Sequence, residues 1–369
     1  MIANLKSIKL FNVFGIPIKL DPSWFIVFIL LTFTLALGYY KPNYPNHNML
    51  IYIFLGITSS IFLFISVLLH ELAHSVVAIR FKIPVKEIVL FIFGGVALME
   101  DEAPSPKAEF TVAIAGPIMS FTLGILFGII AIVYPRDDLL NGFINYLMVI
   151  NFIIATFNLV PAFPLDGGRI LRSIVWAKKD ILFATKISSL TGKIFASFLI
   201  FLGFIYLFKG NLINFVWNVL LGSFLFQASK ESYETTKINV ILYRYKVENL
   251  TEVIRPLLPD QTVLEYMNEY YPIYKTSIYP LIGDDGKFYY ISIEDIRKIP
   301  FTDWEFIKVK DIAKPIEVYV EPFDRLTKAY KLMMNYNLDE LPVIYKQTLL
   351  GIIRRSRIEY IIQKEYIKL

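Results

Sequence analysis

LFISVLLHELAHSVVAIRF, residues 63–81, is the stretch that decides the fold. It sets His70, Glu71 and His74 in an HExxH pattern inside a run otherwise compatible with lipid. On a helix, positions i and i+4 lie on one face about one turn apart, so two imidazoles can reach one metal ion. Glu71 lies beside that face and suits a general base acting on water. An HExxH in a soluble chain says little, because His and Glu are ordinary helix-surface residues. This chain has only three histidines, and two of them fall in the motif. Ionisable side chains within a bilayer segment are costly and mark function. The stretch therefore predicts a membrane-spanning helix that carries a hydrolytic metal site at lipid depth. Few activities need water there, and cutting membrane-embedded peptide bonds is one.

The rest of the chain agrees with a bilayer setting. Of 369 residues, 56% are hydrophobic and 16% aromatic, with mean hydropathy +0.54. A soluble protein of this size does not need so much apolar surface, so a multi-pass membrane protein is expected. Six spans are expected, near 23–40, 51–81, 109–134, 143–161, 190–208 and 212–229. The second exceeds what a bilayer of about 30 Å requires and must tilt or project at one end. The last two are joined by a short Lys209-Gly210-Asn211 turn into a helical hairpin. The polar, strand-like start KLFNVFGIPIKL, residues 9–20, argues against a cleavable signal peptide. Cysteine is absent, which excludes disulfides and thiolate metal ligands. The net charge of +5 is modest, and no nucleic-acid partner is expected. The chain divides at the end of the apolar spans into a membrane domain, residues 1–230, and a charged domain, residues 231–369.

Basic residues give an orientation. The second loop carries Arg80, Lys82, Lys86 and Lys107, and the segment after span four carries Arg169, Arg172, Lys178, Lys179 and Lys186. The other loops hold only Lys41, Arg136 and Lys209. By the positive-inside rule the N-terminus, both basic loops and the C-terminal domain are expected in the cytoplasm, on a multi-pass protein of the cell membrane. His70 and His74 then lie toward the cytoplasmic end of span two. Whatever follows residue 160 lies at similar depth.

A third metal ligand is sought there. His47 belongs to a polar outer loop, NYPNHN, about a membrane thickness away. With no cysteine and no other histidine, a carboxylate must complete the site. Span four runs into Asn158-Leu-Val-Pro-Ala-Phe-Pro-Leu-Asp-Gly-Gly-Arg169. Asp166 follows two helix-breaking prolines and precedes two glycines that permit unusual backbone angles. As a ligand it leaves a fourth zinc position for water, as catalytic sites require. The alternative is an N-cap for a helix starting near Arg169.

HELAH and NLVPAFPLDGG, in this order on spans two and four, resemble the two signature motifs of the site-2 protease class of intramembrane zinc metalloproteases. The resemblance covers about residues 1–230. It implies a polytopic α-helical fold with a small membrane-associated β element. It implies one zinc ion per chain on His70, His74 and Asp166, with Glu71 activating water. It also implies regulated intramembrane proteolysis of transmembrane protein substrates. Asn158 matches a family Asn thought to hold substrate or the oxyanion; the alternative is helix–helix hydrogen bonding. VKEIVLFIFGGVALMED, residues 85–101, suits strands turning at Gly94-Gly95. Phe93-Gly94-Gly95 resembles the family's sheet element beside the site. Strand addition would hold a substrate extended; the alternative is a plain hairpin. Gly116-Pro117 suits a kink or packing contact, and Gly124 with Gly128 forms a GxxxG packing motif.

Residues 240–369 contain a repeat. Lys246-Val-Glu-Asn-Leu250 matches Lys308-Val-Lys-Asp-Ile312, and Tyr279-Pro-Leu-Ile282 matches Leu341-Pro-Val-Ile344, both offset by 62 residues. Each copy reads strand, helix, strand, strand, helix. The two resemble a tandem CBS pair, an α+β module whose members often bind adenine nucleotides. Ser292 and Asp295 fit the spacing for ribose and phosphate, while copy two departs with Arg354 and Arg357. A structural role, or a homodimer through the pair, is the alternative to nucleotide binding. For the whole chain the alternatives are a CBS-regulated transporter or channel, and a metal-binding pseudoprotease. Intact Glu71 argues against the last. No internal repeat in the spans speaks for a transporter.

Overall fold

The computed structural model describes residues 7–99, 101–135 and 138–367, so Arg136 and the first six residues, which enter the orientation argument, lie outside the described residues. The chain divides into two compact units, Met1–Glu234 and Thr235–Leu369. Among the described residues six helical spans are long and apolar enough to cross a membrane.

The first unit begins with a hairpin of β1 (Ile8–Val13) and β2 (Ile16–Leu20). Its turn places Phe14 at φ +50° and Gly15 at φ +81°, the left-handed pair a two-residue hairpin needs. The first span runs Ser23–Asn43, opening with α1 (Ser23–Thr34). The second is α2 (Met49–Arg80), capped by the Asn48 side chain on Leu50 N at 3.1 Å. A second hairpin, β3 (Val85–Phe91) and β4 (Gly94–Met99), follows. Then come α3 (Pro106–Val133), α4 (Leu139–Asn158), the short α5 (Asp166–Trp176), α6 (Ile181–Phe208) and α7 (Leu212–Tyr243).

Two expected boundaries move. The fifth span starts at Ile181, earlier than position 190. Asp180 caps it by accepting Phe183 N at 2.9 Å, and its first turns hold buried Thr185, Ser188 and Ser189, which lower local hydropathy without breaking the helix. The sixth helix continues to Tyr243, because helix propensity outlasts the apolar run.

Each long helix turns a narrow stripe inward. On α2 the buried positions include Tyr52, Gly56, Ser60, Phe64, His70, His74 and Ala78, which recur mostly every four residues, with Ser59, Ser66, Leu72 and Ser75 beside them. Leu50, Phe54, Ile57, Ile61 and Ile65 point outward. Small inward residues let helix backbones approach where no hydrophobic drive exists between helices in lipid. At Gly56 an added Cβ would strike the Thr32 carbonyl.

The two hairpins join into one sheet ordered β1-β2-β3-β4. The joint is parallel, with Ile18 opposite Ile88 and Leu20 opposite Leu90. Ile16, Ile18 and Ile88 bury against Leu72 of α2, next to the HExxH residues. This fixes the sheet to the turn of helix that carries the site and leaves β4 as an open edge beside it.

The second unit contains the two expected copies. Copy one has the hairpin β5 (Ile278–Ile282) and β6 (Phe288–Ser292), extended by β7 (Lys314–Pro315). Copy two has α8 (Leu326–Tyr336), the hairpin β8 (Glu340–Tyr345) and β9 (Thr348–Arg354), and α9 (Arg355–Tyr366). The hairpins keep the 62-residue offset, 278 to 340 and 292 to 354. The leading strand of each copy shrinks to isolated bridges, Glu252 with Ile352 and Val320 with Val343. Each copy has its own buried core, one around Tyr266, Tyr279 and Ile291, the other around Leu326, Leu341 and Ile353.

Candidate metal centre

His70 and His74 sit one turn apart near the C-terminal end of α2, both 3% exposed. Asp166 opens α5 and is 7% exposed. Its Oδ2 lies 3.0 Å from His70 Nε2 and 3.1 Å from His74 Nε2. The three residues therefore meet at one buried point, with one ligand atom from each within 4.8 Å of the others. Leu165 is the N-cap of α5 and Asp166 its first residue, so the helix starts three residues before Arg169 and Asp166 is not its cap.

The local sequence explains how Asp166 gets there. Pro161 and Pro164 cannot continue α4, which ends at Asn158. The returning turn packs so closely that a Cβ on Gly167 would strike the Leu159 and Val160 carbonyls, and one on Gly168 the Phe163 backbone. Both glycines are needed for this approach.

The other nitrogen of each imidazole is also held. His74 Nδ1 lies 2.6 Å from the Val112 carbonyl oxygen, which can only accept. That nitrogen therefore carries hydrogen, and Nε2 of the neutral ring presents its lone pair to the site. His70 Nδ1 lies 2.9 Å from Ser120 Oγ. Val112 and Ser120 both lie on α3, with Gly116 between them. A Cβ on Gly116 would collide with Nε2 of both histidines. Two imidazole nitrogens and a carboxylate oxygen converging at about 3 Å, with the His74 lone pair turned inward, suit a cation held among them. Two nitrogens and one carboxylate oxygen fit zinc with one position left open.

Glu71 is half-buried beside the histidines, and its Oε2 accepts the Ala97 N–H at 3.2 Å. Ala97 belongs to the edge strand β4, and a Cβ on neighbouring Gly95 would come 2.7 Å from Glu71 Cγ. Asn158, the last residue of α4, donates Nδ2 to the Ile154 carbonyl at 3.0 Å, so one of its two donors is spent on its own helix. His47 is exposed in the loop before α2, in contact with Tyr52, away from the buried point.

In the second unit a cleft of about 420 Å³ opens between the copies, lined by Ser277, Ser292, Asn337, Asp339 and Glu340 among others. Ser292 lines it, and its Oγ accepts Glu294 N at 3.1 Å. Asp295, Arg354 and Arg357 do not line it. Asp295 pairs with Lys298 at 2.8 Å and Lys314 at 2.6 Å, and these ammonium groups hold its carboxyl below the usual carboxylate range. Arg354 and Arg357 both reach Glu252, at 3.2 and 2.6 Å. The Glu340 carboxylate, 6% exposed, ties the copies together by accepting Ser277 N at 3.0 Å and Ile278 N at 3.3 Å.

Ser120, the Val112 carbonyl and Gly116 as a wall of the site were not found from sequence. Gly116-Pro117 was the only signal near them, and it speaks of packing alone.

The sequence matches peptidase family M50 over residues 58–145 and 136–202, and the CBS domain over residues 309–363. It is 32% identical over 349 residues to the sll0528 protein of Synechocystis sp., spanning 92% of this chain and 90% of that one. It is 30% identical over 358 residues to zinc metalloprotease MJ0392 of Methanocaldococcus jannaschii, spanning 95% of each. Among solved structures it is similar to a site-2 protease from Methanocaldococcus jannaschii, with 35% identity, a TM-score of 0.44, and coverage of 62% of this chain and 95% of that one.

Proposed function

Because the chain belongs to peptidase family M50, the site-2 protease class, we propose that it is an intramembrane zinc endopeptidase acting on transmembrane protein substrates. The observation that carries the reading is the buried convergence of His70 Nε2, His74 Nε2 and Asp166 Oδ2 beside Glu71. These three residues would hold one zinc ion. The ion would supply Lewis-acid chemistry there, with a bound water of pKa about 7 and a polarised peptide carbonyl.

The chain's own residues supply the rest. Val112 and Ser120 fix the ring orientation that turns each Nε2 to the centre. Glu71 takes a proton from the attacking water as its oxygen bonds the carbonyl carbon. It returns that proton to the departing amine nitrogen as the C–N bond breaks. The free donor of Asn158 is assigned to substrate or to the developing oxyanion. A transmembrane helix hides its peptide bonds, so the substrate must be drawn out. The open edge of β4 suits an added strand and lies against Glu71.

We assign the termini and the segments near residues 85 and 180 to the cytoplasm, on the lysines and arginines that cluster in those two segments. The CBS pair is assigned an adenine nucleotide in the cleft lined by Ser292. Asp295, Arg354 and Arg357 join it only by giving up their present ion pairs. A transporter or channel is not favoured, since the relatives share more than nine-tenths of the chain, membrane and cytoplasmic parts alike.

Chelation tests this reading. Purified protein in bilayer nanodiscs, given a single-span substrate, is expected to lose cleavage on removal of metal and to regain it with stoichiometric Zn2+. Cleavage that survives metal removal contradicts it.

A further inference from the structure

We propose that Glu109 and Arg172 are positioning residues that set Asp166 against His70 and His74, with α3 as the common template. Glu109 is fully buried and Arg172 is 9% exposed. Arg172 Nε donates to Glu109 Oε1 at 2.6 Å, and its Nη2 reaches the same oxygen. Glu109 Oε2 is buried without a hydrogen-bond partner.

That geometry is a poor one for stability alone. A guanidinium and a carboxylate can pair through both oxygens, and here both donors crowd one. A buried ion pair is weak support for a fold, because an apolar pair of similar volume often serves as well. The position of the pair points to another role. Glu109 lies in the first turn of α3, where the helix dipole favours an anion. It sits on the buried stripe that continues through Val112, Gly116 and Ser120. Val112 and Ser120 hold the two imidazoles from this stripe. Glu109 holds α5 from the same stripe, through Arg172. The Arg172 guanidinium also lies 5.4 Å over the Phe163 ring, in the turn that delivers Asp166. One helix thus fixes all three ligands: two directly, the third through a charged clasp.

The proposal rests on the reading of Asp166 as a zinc ligand, so Asp166→Ala is measured in parallel. The test uses the full chain in detergent or nanodiscs. The readouts are the zinc dissociation constant by chelator competition, the visible spectrum of the Co2+ form, and thermal stability without metal. Arg172→Lys and Glu109→Gln are expected to weaken zinc by about 10- to 100-fold, as removal of outer partners does. The decisive variant is Glu109→Leu/Arg172→Met, which removes both charges together. It is expected to regain stability and to keep both the weakened zinc affinity and an altered Co2+ spectrum. Wild-type zinc affinity and spectrum in this double variant would show a brace for the fold only and overturn the proposal. If Asp166→Ala holds zinc as tightly as wild type, the ligand assignment itself falls, whatever the pair does.

Discussion

The Glu71 carboxylate accepts a hydrogen bond from the Ala97 backbone amide at 3.2 Å, joining the HExxH helix to the edge strand of the sheet. Ala97 lies in β4, which among the described residues has a partner strand, β3, on one side only. A substrate strand that extends the sheet along β4 runs past the same carboxylate. In the proposed function the base and the platform for its substrate thus form one assembly, pinned by the packing of Ile18 and Ile88 on Leu72.

Two glycines separate metal binding from base positioning. A side chain on Gly116 falls on both imidazoles, so Gly116→Ala is expected to weaken zinc by at least about tenfold and to abolish activity. A side chain on Gly95 presses on Glu71 Cγ instead. Gly95→Ala is expected to keep stoichiometric zinc and lose about 10²-fold in turnover, the cost of a misplacement near 1 Å. Metal analysis alongside turnover reads both. Equal zinc loss in the two variants would refute the division.

The orientation is tested with engineered cysteines, since the native chain has none. Asp180 caps α6 and should stay in place, whereas Lys179 is exposed and free of that duty. A cysteine at position 179 is expected to resist an impermeant reagent applied from outside intact cells and to react after permeabilisation. Labelling from outside would reverse the topology.

Nucleotide binding is measured by titrating the full chain with ATP and AMP. Saturable binding is expected, weakened several-fold by Ser292→Ala, because that residue lines the cleft. A coupling of about 1–3 kcal/mol would change cleavage several-fold. No binding up to millimolar nucleotide would leave the pair a structural or partner-binding unit.

How much of this was legible in the sequence follows from what each contact depends on. The i, i+4 pair of histidines lies within one helix, so spacing alone sets its geometry. Asp166 was reachable because the positive-inside reading set it at the depth of the histidines and left no other candidate ligand, and the structure brings its carboxylate to both rings. The repeat in the C-terminal unit was visible because both copies keep one offset. The rest depends on contacts between distant elements. A backbone carbonyl such as that of Val112 has no residue signature, and Ser120 reads as one more small polar residue in a packed helix. The parallel joint between Ile18 and Ile88 brings together segments about 70 residues apart with no marker in either. In the C-terminal unit, Ser292 and Asp295 satisfied a spacing rule, yet only Ser292 lines the cleft. Lys298 and Lys314, nearby in the fold, took the aspartate instead.

The central claim is that Glu71 performs the chemistry at a zinc held by His70, His74 and Asp166. The most direct measurement compares wild type with Glu71→Gln, purified in nanodiscs, for zinc content and for cleavage of a transmembrane substrate. Glutamine keeps the size of the side chain and an oxygen for the Ala97 amide, and removes the base. The account predicts one zinc per chain in both proteins and a fall of about three decades or more in the cleavage rate of the variant. Cleavage by Glu71→Gln at near wild-type rate, with zinc retained, would contradict it.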